Sequence, residues 1–334
     1  MRVRRGRESL PESRAVRRSV NLKDRIMDEQ KLFEILGLDI YKYPRTAHLQ
    51  GSKNQKGDEG YDQVPYAMLR GHYIVIEEKF DGANAGVSFS GAAELLLQSR
   101  GHYLTGGGRE RQFNLFKQWA AAHENWLLER LEDQYVMYGE WCHKKHTVWY
   151  DRLPHYFLEF DVFSKRTGKF LSTAARRKLL QGGPVLSVRT LYEGIAPCSV
   201  EELKRMLLPS FAKSKLWRDA LHGVLIRERL DEEKAWSQTD ESDLSEGLYI
   251  KVELGDHTVG RYKFVRGDFV QAIIDSETHH AEQPFVPNLL APDVDIYAPT
   301  LSVDWDNLQD EWKNRAALEK LHMEILRGHK ISAR

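Results

Sequence analysis

The stretch Ile74 to Phe89, IVIEEKFDGANAGVSF, sets a compact charged segment between two apolar runs, Ile74–Ile76 and Ala85–Phe89. The segment is Glu77-Glu78-Lys79-Phe80-Asp81-Gly82-Ala83-Asn84. A lone lysine between strands is ordinarily a solvated turn residue. Here further charged segments occur at strand ends: Ser99-Arg100-Gly101, then Tyr138-Gly139-Glu140-Trp141, then FLEFDVF at Phe157–Phe163. EGLYIK at Glu246–Lys251 and Arg261-Tyr262-Lys263 complete the series. Each sets a carboxylate or a cation beside a strand. A lysine in such company can serve as a covalent nucleophile. It must first lose its proton, and its reference pKa of about 10.4 is lowered by nearby cations and by desolvation.

In this order the segments resemble the motifs of the covalent nucleotidyltransferases: ATP-dependent DNA ligases, RNA ligases and mRNA capping enzymes. Lys79-Phe80-Asp81-Gly82 fits the family's Lys-x-Asp-Gly segment, whose lysine takes up a nucleoside monophosphate. Asn84 matches the asparagine that nick-sealing RNA ligases carry two places after the glycine. The resemblance implies that Lys79 attacks the α-phosphorus of ATP and forms a Lys–AMP phosphoramidate. It implies that Glu78 offers a backbone contact to the adenine edge, that Phe160 stacks on adenine, and that Arg100 binds the phosphate or ribose region. Glu140 would contact the ribose or a metal, Glu246 would orient the nucleophile or bind metal, and Lys251 and Lys263 would grip the α-phosphate. Asp81, Gly82, Asn84 and Arg261 complete the implied nucleotide-binding set. The same cations, Arg100, Lys251, Arg261 and Lys263, would depress the lysine pKa and neutralise the phosphates as pyrophosphate leaves. A divalent ion, Mg²⁺ or Mn²⁺, would be held at Glu140 and Glu246. One position departs from the pattern: the last motif usually reads Lys-x-Lys, and Arg261 stands first here, although Arg and Lys are not interchangeable at a phosphate.

The region beyond the last motif bears on the acceptor. DNA ligases and capping enzymes carry an OB-type barrel there. The residues after Arg266 lack the regular short strands a barrel needs and end in an amphipathic helix, with Leu308, Trp312, Leu318, Leu321 and Ile325 on one side and Gly328 as its stop. That resembles RNA ligases, as does KYPRTAHLQGS at Lys42–Ser52, whose Tyr43, Arg45 and His48, with Lys53, could meet phosphates or bases. The implied activity is an ATP-dependent RNA ligase in RNA repair. It would join a 5′-phosphate to a 3′-hydroxyl through enzyme–AMP and an adenylylated 5′ end. A DNA nick ligase and a non-catalytic nucleotide- or RNA-binding protein on the same fold are the alternatives.

The rest of the chain must position these residues. Its 334 residues and zero formal net charge describe a soluble globular protein without an overall basic field, so any nucleic-acid binding is local. No apolar run approaches the roughly 20 residues of a membrane span. The two cysteines, Cys142 and Cys198, form no metal spacing and suit a reducing, cytoplasmic setting. The arginine-rich start lacks the apolar middle of a secretory signal, and Glu8, Pro11 and Glu12 favour a basic disordered tail over residues 1–25 rather than a presequence. A short helix is expected over Lys23–Leu36, loop from Lys42 to Asp62, strands from Tyr73 to Phe163, and a helix from Arg109 to Leu131. Ser199 and Glu202 form a capping box, and RERLDEEKAWSQTDESDLSEG reads as a mobile charged loop. HKKH at His143–His146 has no third metal ligand nearby and reads as a solvated basic strand end, whose Lys144 and Lys145 could touch a nucleic-acid backbone. Thr105–Arg111 lacks the ending of a P-loop and reads as flexible loop, and His279-His280 falls in a polar loop.

The expected architecture is α+β. Antiparallel sheets flanked by helices would form an adenylyltransferase domain, of ATP-grasp-like ligase type, over residues 37–268. A small, mostly helical region would occupy residues 269–334. The insertion between Phe163 and Glu246 is not placed on the pocket by the sequence, and the oligomeric state is unknown.

Overall fold

Runs rich in Ile, Val, Leu and aromatic residues pair into one large sheet in the computed structural model, which describes residues 40–53, 63–269, 284–301 and 320–328. Contacts divide the chain into Met1–Ile40, nearly all outside the described residues, and Tyr41–Arg334, which carries every element named here. The expected basic tail, the Lys23–Leu36 helix, His279-His280 and the Leu308–Leu318 part of the last helix lie outside the described residues. No helix among the described residues is long and apolar enough to cross a membrane.

In chain order the strands and helices begin with β1 (Ala47–His48), β2 (Tyr73–Lys79), β3 (Ala83–Phe89), β4 (Leu95–Ser99), α1 (Asn114–Ala122) and α2 (Glu124–Leu131). Next come β5 (Tyr135–Trp141), β6 (Phe157–Ser164), β7 (Lys169–Leu171), α3 (Thr173–Leu180), β8 (Leu186–Ser187) and β9 (Thr190–Ile195). The series ends with α4 (Val200–Lys204), α5 (Trp217–Arg227), α6 (Glu232–Ser237), β10 (Gly247–Leu254) and β11 (His257–Val265). The sheet runs β4-β3-β5-β6-β7-β11-β10-β2-β9 with antiparallel neighbours, while β1 joins β11 and β8 joins β6 in parallel. The observed fold is therefore α+β with a large antiparallel sheet flanked by helices, as the motif order implies.

Each half of the sheet turns one face to its own apolar layer. Ala83, Ala85, Val87 and Phe89 of β3 pack with Met137 and Trp141 of β5 against Phe116, Trp119, Ala120 and Leu127 of the helices. Burying a side chain such as Phe116 contributes roughly 1.5–3 kcal/mol. In the other half, Ile74 and Ile76 of β2 and Leu248, Ile250 and Val252 of β10 pack on Leu203, Met206, Leu321 and Ile325. Because side chains alternate along a strand, the opposite faces must look inward at each other. They carry Tyr138, Tyr249, Phe160 and Phe170 together with charged residues.

Several local expectations change. The predicted loop from Lys42 contains β1, whose Ala47 and His48 pair with Tyr262 and Lys263. The single helix expected over Arg109–Leu131 is a 3-10 turn at Gly108–Phe113 leading into α1 and α2, which break at His123. The supposed mobile loop after Arg227 holds α6, because Asp231 caps it by accepting from the Lys234 amide at 3.0 Å and Ala235 is buried beside Trp217. The Ser199 cap is present, but Glu202 reaches back to the Cys198 amide at 2.8 Å, one residue earlier than a standard box. Residues 284–301 contain no helix and lie on the main body, where Asn288 accepts from the Tyr150 amide at 2.9 Å and donates to the Cys142 carbonyl at 2.7 Å.

Gly247 stands opposite Lys79 on β2, and a Cβ there would collide with the Phe264 carbonyl. Gly247→Ala is expected to cost about 3 kcal/mol or more by overpacking. Chemical denaturation of the purified variant against wild type checks this.

Candidate active site

The register of the sheet collects the motif residues on its inner faces. Across β2, β10 and β11, Glu77 stands beside Tyr249, which stands beside Lys263, and Lys79 stands beside Gly247, which stands beside Val265. Across β3 and β5, Asn84 stands beside Glu140. Register shifts fall at Ile76/Glu77 and at Tyr138/Gly139, just before Lys79 and Glu140. Irregularities of this kind re-aim the side chains next along the strand.

Lys79 Nζ donates to Glu246 Oε2 at 2.6 Å, with the lysine side chain 25% exposed and the glutamate 3%. Burial alone would lower the lysine pKa, but Glu246, then Glu140 and Asp81, outweigh it, and the net shift is upward. This corrects the expectation of a depressed pKa: the charges that act most strongly on Lys79 are carboxylates. Burial pushes Glu140 up to about 7, against the pull of Lys79. Burial also raises Glu246, opposed by Lys79 and by nearby Lys263.

The turn after Lys79 is held by its own motif residues. Asp81 Oδ2 accepts from the Thr147 and Val148 amides, each at 2.7 Å, while the Asp81 amide donates to the Tyr150 hydroxyl at 2.9 Å. The Gly82 amide donates to Glu140 Oε1 at 2.9 Å, and a Cβ on Gly82 would come within 2.7 Å of the Trp141 carbonyl. Glycine is therefore required by the close approach of β5. Asn84 Oδ1 is a buried oxygen with no hydrogen-bond partner, aligned beside Glu140.

A charged network lies behind the site. Lys251 Nζ meets Glu77 Oε2 at 2.9 Å and Asp161 Oδ1 at 3.2 Å, all three side chains fully buried, and also donates to the Phe160 carbonyl. Arg261 lies 3.5 Å from Asp161 and 3.7 Å over the Phe170 ring. Lys251 and Arg261, expected at the phosphates, are thus committed to buried carboxylates, whose charge they must balance. Tyr43 is drawn into the same network, donating to Asp161 Oδ2 at 2.6 Å, and His48 is buried against Ser52 at 2.7 Å. Neither presents itself to nucleic acid, whereas Arg45 and Lys53 are exposed. Arg100 comes directly after the last paired residue of β4 and is exposed. Phe160 keeps part of its ring open and meets Tyr43 edge-on at 5.2 Å.

The sequence missed the contribution of the insertion. Ser210 Oγ donates to Glu78 Oε1, the Glu78 amide donates to the Arg189 carbonyl, and Val188 and Ala212 pack on Phe80. Arg189 stacks 4.0 Å over Phe211 on this side of the motif. HKKH is not a solvated strand end: Lys144 and Lys145 are 7% and 3% exposed. Lys145 Nζ donates to the carbonyls of Gln238 at 2.5 Å and His146 at 3.1 Å, and burial brings its pKa down to about 7. Among the described residues no group of three or more His, Cys, Asp or Glu is placed to hold a metal ion. What the site offers is a carboxylate-held amine, two further half-buried acids, Glu140 and Asp81, and the unpartnered oxygen of Asn84, an oxygen-rich set suited to a hard cation that keeps other ligands.

A family model described as RNA ligase matches residues 72–265. No curated protein matches the sequence. Among solved structures, the chain is similar to a variant of Naegleria gruberi RNA ligase with ATP and Mn, at 16% identity and TM-score 0.42, covering 73% of this chain and 68% of that one. Another variant of the same ligase, with AMP and Mn, aligns at 17% identity and TM-score 0.41, covering 75% and 71%.

The raised pKa of Glu140 makes stability depend on pH. Its contribution is fully present below about 4.5 and is lost as pH rises through about 7, where the buried carboxyl must ionise. Glu140→Gln, which mimics the protonated acid, is expected to melt higher than wild type at pH 8, with the gap closing toward pH 5. Thermal melts across that range check the sign.

Proposed function

The chain belongs to the RNA ligase family, and from that premise we propose that it joins RNA ends with a 5′-phosphate and a 3′-hydroxyl through a covalent AMP on Lys79. The observation that carries the reading is the Lys79–Glu246 pair at 2.6 Å, seated on an inner strand end beside Glu140 and Lys263. An amine so held is aimed by its carboxylate partner, and the partner is a base placed to take the proton that the amine must lose.

Lys79 attacks the α-phosphorus of ATP, forming the N–P bond as the bond to pyrophosphate breaks. The AMP then passes to the RNA 5′-phosphate, and the 3′-hydroxyl displaces it. Phe160, with its ring partly open, stacks on adenine. The Glu78 backbone lies at the base edge, and the Arg189–Phe211 stack stands on that side. Lys263 meets the α-phosphate, and exposed Arg100 the outer phosphates or ribose. Glu140 and Glu246, with the Asn84 oxygen nearby, would hold a divalent ion. Mg²⁺ or Mn²⁺ there offsets the carboxylate field on Lys79 and the charge of the triphosphate. In this reading Lys251, Arg261 and Asp81 position the site without touching phosphate. RNA repair is the role that this chemistry serves, and the work is assigned to the cytoplasm.

Incubation of the purified protein with α-labelled ATP and Mg²⁺, then denaturation, tests the first step. Acid-labile, alkali-stable label on the wild-type chain and none on Lys79→Ala is the expected result; label surviving in Lys79→Ala refutes the assignment. Phe160→Ala is expected to raise the ATP KM about tenfold, the loss of one stacked base face. An unchanged KM would mean that another side chain covers the adenine. Parallel assays on nicked RNA and nicked DNA separate an RNA acceptor from a DNA one.

A further inference from the structure

We propose that Arg176, in the insertion after β6, is a positioning residue that ties the nucleophile strand to the strand opposite it. β2 and β6 are not neighbours: β7, β11 and β10 lie between them in the sheet. The Arg176 guanidinium nevertheless reaches both. One arm meets Glu77 Oε1 on β2, and the other meets Glu159 Oε2 on β6 at 2.5 Å, with all three side chains fully buried. Glu77 precedes Lys79 by two residues, on the same face of β2, and Glu159 directly precedes Phe160. The arginine therefore spans the fold of the sheet between the amine and the aromatic ring.

The helix that carries it is itself fixed. Ser172 caps α3 by accepting from the Ala175 amide at 3.3 Å. The amide and hydroxyl of Thr173 both donate to Glu253 Oε1 at 2.7 Å, anchoring the first turn to the end of β10. Ser187 Oγ donates to the Glu159 oxygen that Arg176 engages, at 2.6 Å. Charge balance holds throughout: Glu77, Glu159 and Asp161 face Arg176, Lys251 and Arg261. Apolar residues would fill this interior at least as stably. What ions add is direction, because a planar fork holds two carboxylates at a set distance.

The proposal rests on the lysyl-AMP reading for its rate effect. The test compares full-length wild type with Arg176→Met/Glu159→Gln, which leaves Glu77 with Lys251 and Asp161 with Arg261 and so strands no charge. Labelling with α-labelled ATP and Mg²⁺ is measured over time. The double variant is expected to reach the wild-type amplitude, with a rate constant at saturating ATP lowered about 10- to 100-fold. Arg176→Lys, whose ammonium cannot fork, is expected to fold and stay slow, and it carries the same test if melting shows the double variant unfolded. A reduced amplitude with an unchanged rate constant, or a folded variant at wild-type rate, overturns the proposal. Hydrogen exchange without nucleotide gives a second readout: faster exchange in both Ile74–Lys79 and Phe157–Asp161 is expected, and unchanged exchange overturns it. A wild-type chain that takes no label refutes the lysyl-AMP reading instead, and exchange alone then decides on Arg176.

Discussion

Three carboxylates and three cations share the interior of the folded sheet, and nearly everything at the site leans on their neutrality. Glu77, Glu159 and Asp161 come from β2 and β6, while Arg176, Lys251 and Arg261 come from α3, β10 and β11. Removing one partner of such a buried pair costs about 3–5 kcal/mol, because the other charge is left unpaired in a medium that cannot solvate it. The two inner faces are therefore joined by charge as well as by aromatic contact, such as Phe160 with Tyr249 at 5.9 Å. Tyr43 and Tyr249 complete the arrangement by donating to Asp161 at 2.6 and 3.0 Å.

Next to this region lies a second charged cluster, in which Lys263 stands near Glu246. Glu246, Glu140 and Asp81 surround Lys79 closely enough to raise its pKa despite burial. These carboxylates favour the protonated, unreactive form of the amine. In the proposed reaction a cation arriving with the substrate would relieve this carboxylate field, and the unpartnered oxygen of Asn84 suits such an ion. Division of labour arises from geometry. Lysines and arginines that look alike in sequence differ in burial: Lys251 is fully buried between Glu77 and Asp161, whereas Lys79 is 25% exposed beside Glu246.

Much of the site was legible in the chain. Lys79, Glu140 and Lys263 lie on inner faces because strand residues of one parity share a face, and a charged residue on an otherwise apolar strand must find that face or water; Glu246 joins them from the bend just before β10, through its pair with Lys79. Gly82 and Asp81 were legible as a motif, yet the reasons for them are tertiary: the Trp141 carbonyl and the Thr147 and Val148 amides come from a distant part of the chain. The burial of Lys251, Tyr43 and the HKKH lysines was not legible, because exposure depends on what covers a residue. Their covers are β6, the Asp161 network and the segment around Gln238.

The sequence by itself showed the strand-rich stretch from Tyr73 to Phe163 and the order of the charged segments, whose resemblance to a family implied nucleotidyl chemistry. The class of fold was legible through the family that the motif order resembles. Only the tertiary structure decided how far that sheet bends, and so which cation faces which acid. It placed the insertion at the Glu78 side of the motif and Arg176 between β2 and β6. The reason is physical: local sequence fixes backbone periodicity over a few residues, whereas burial and charge pairing are settled by groups far apart in the chain, between β2 and β6 above all.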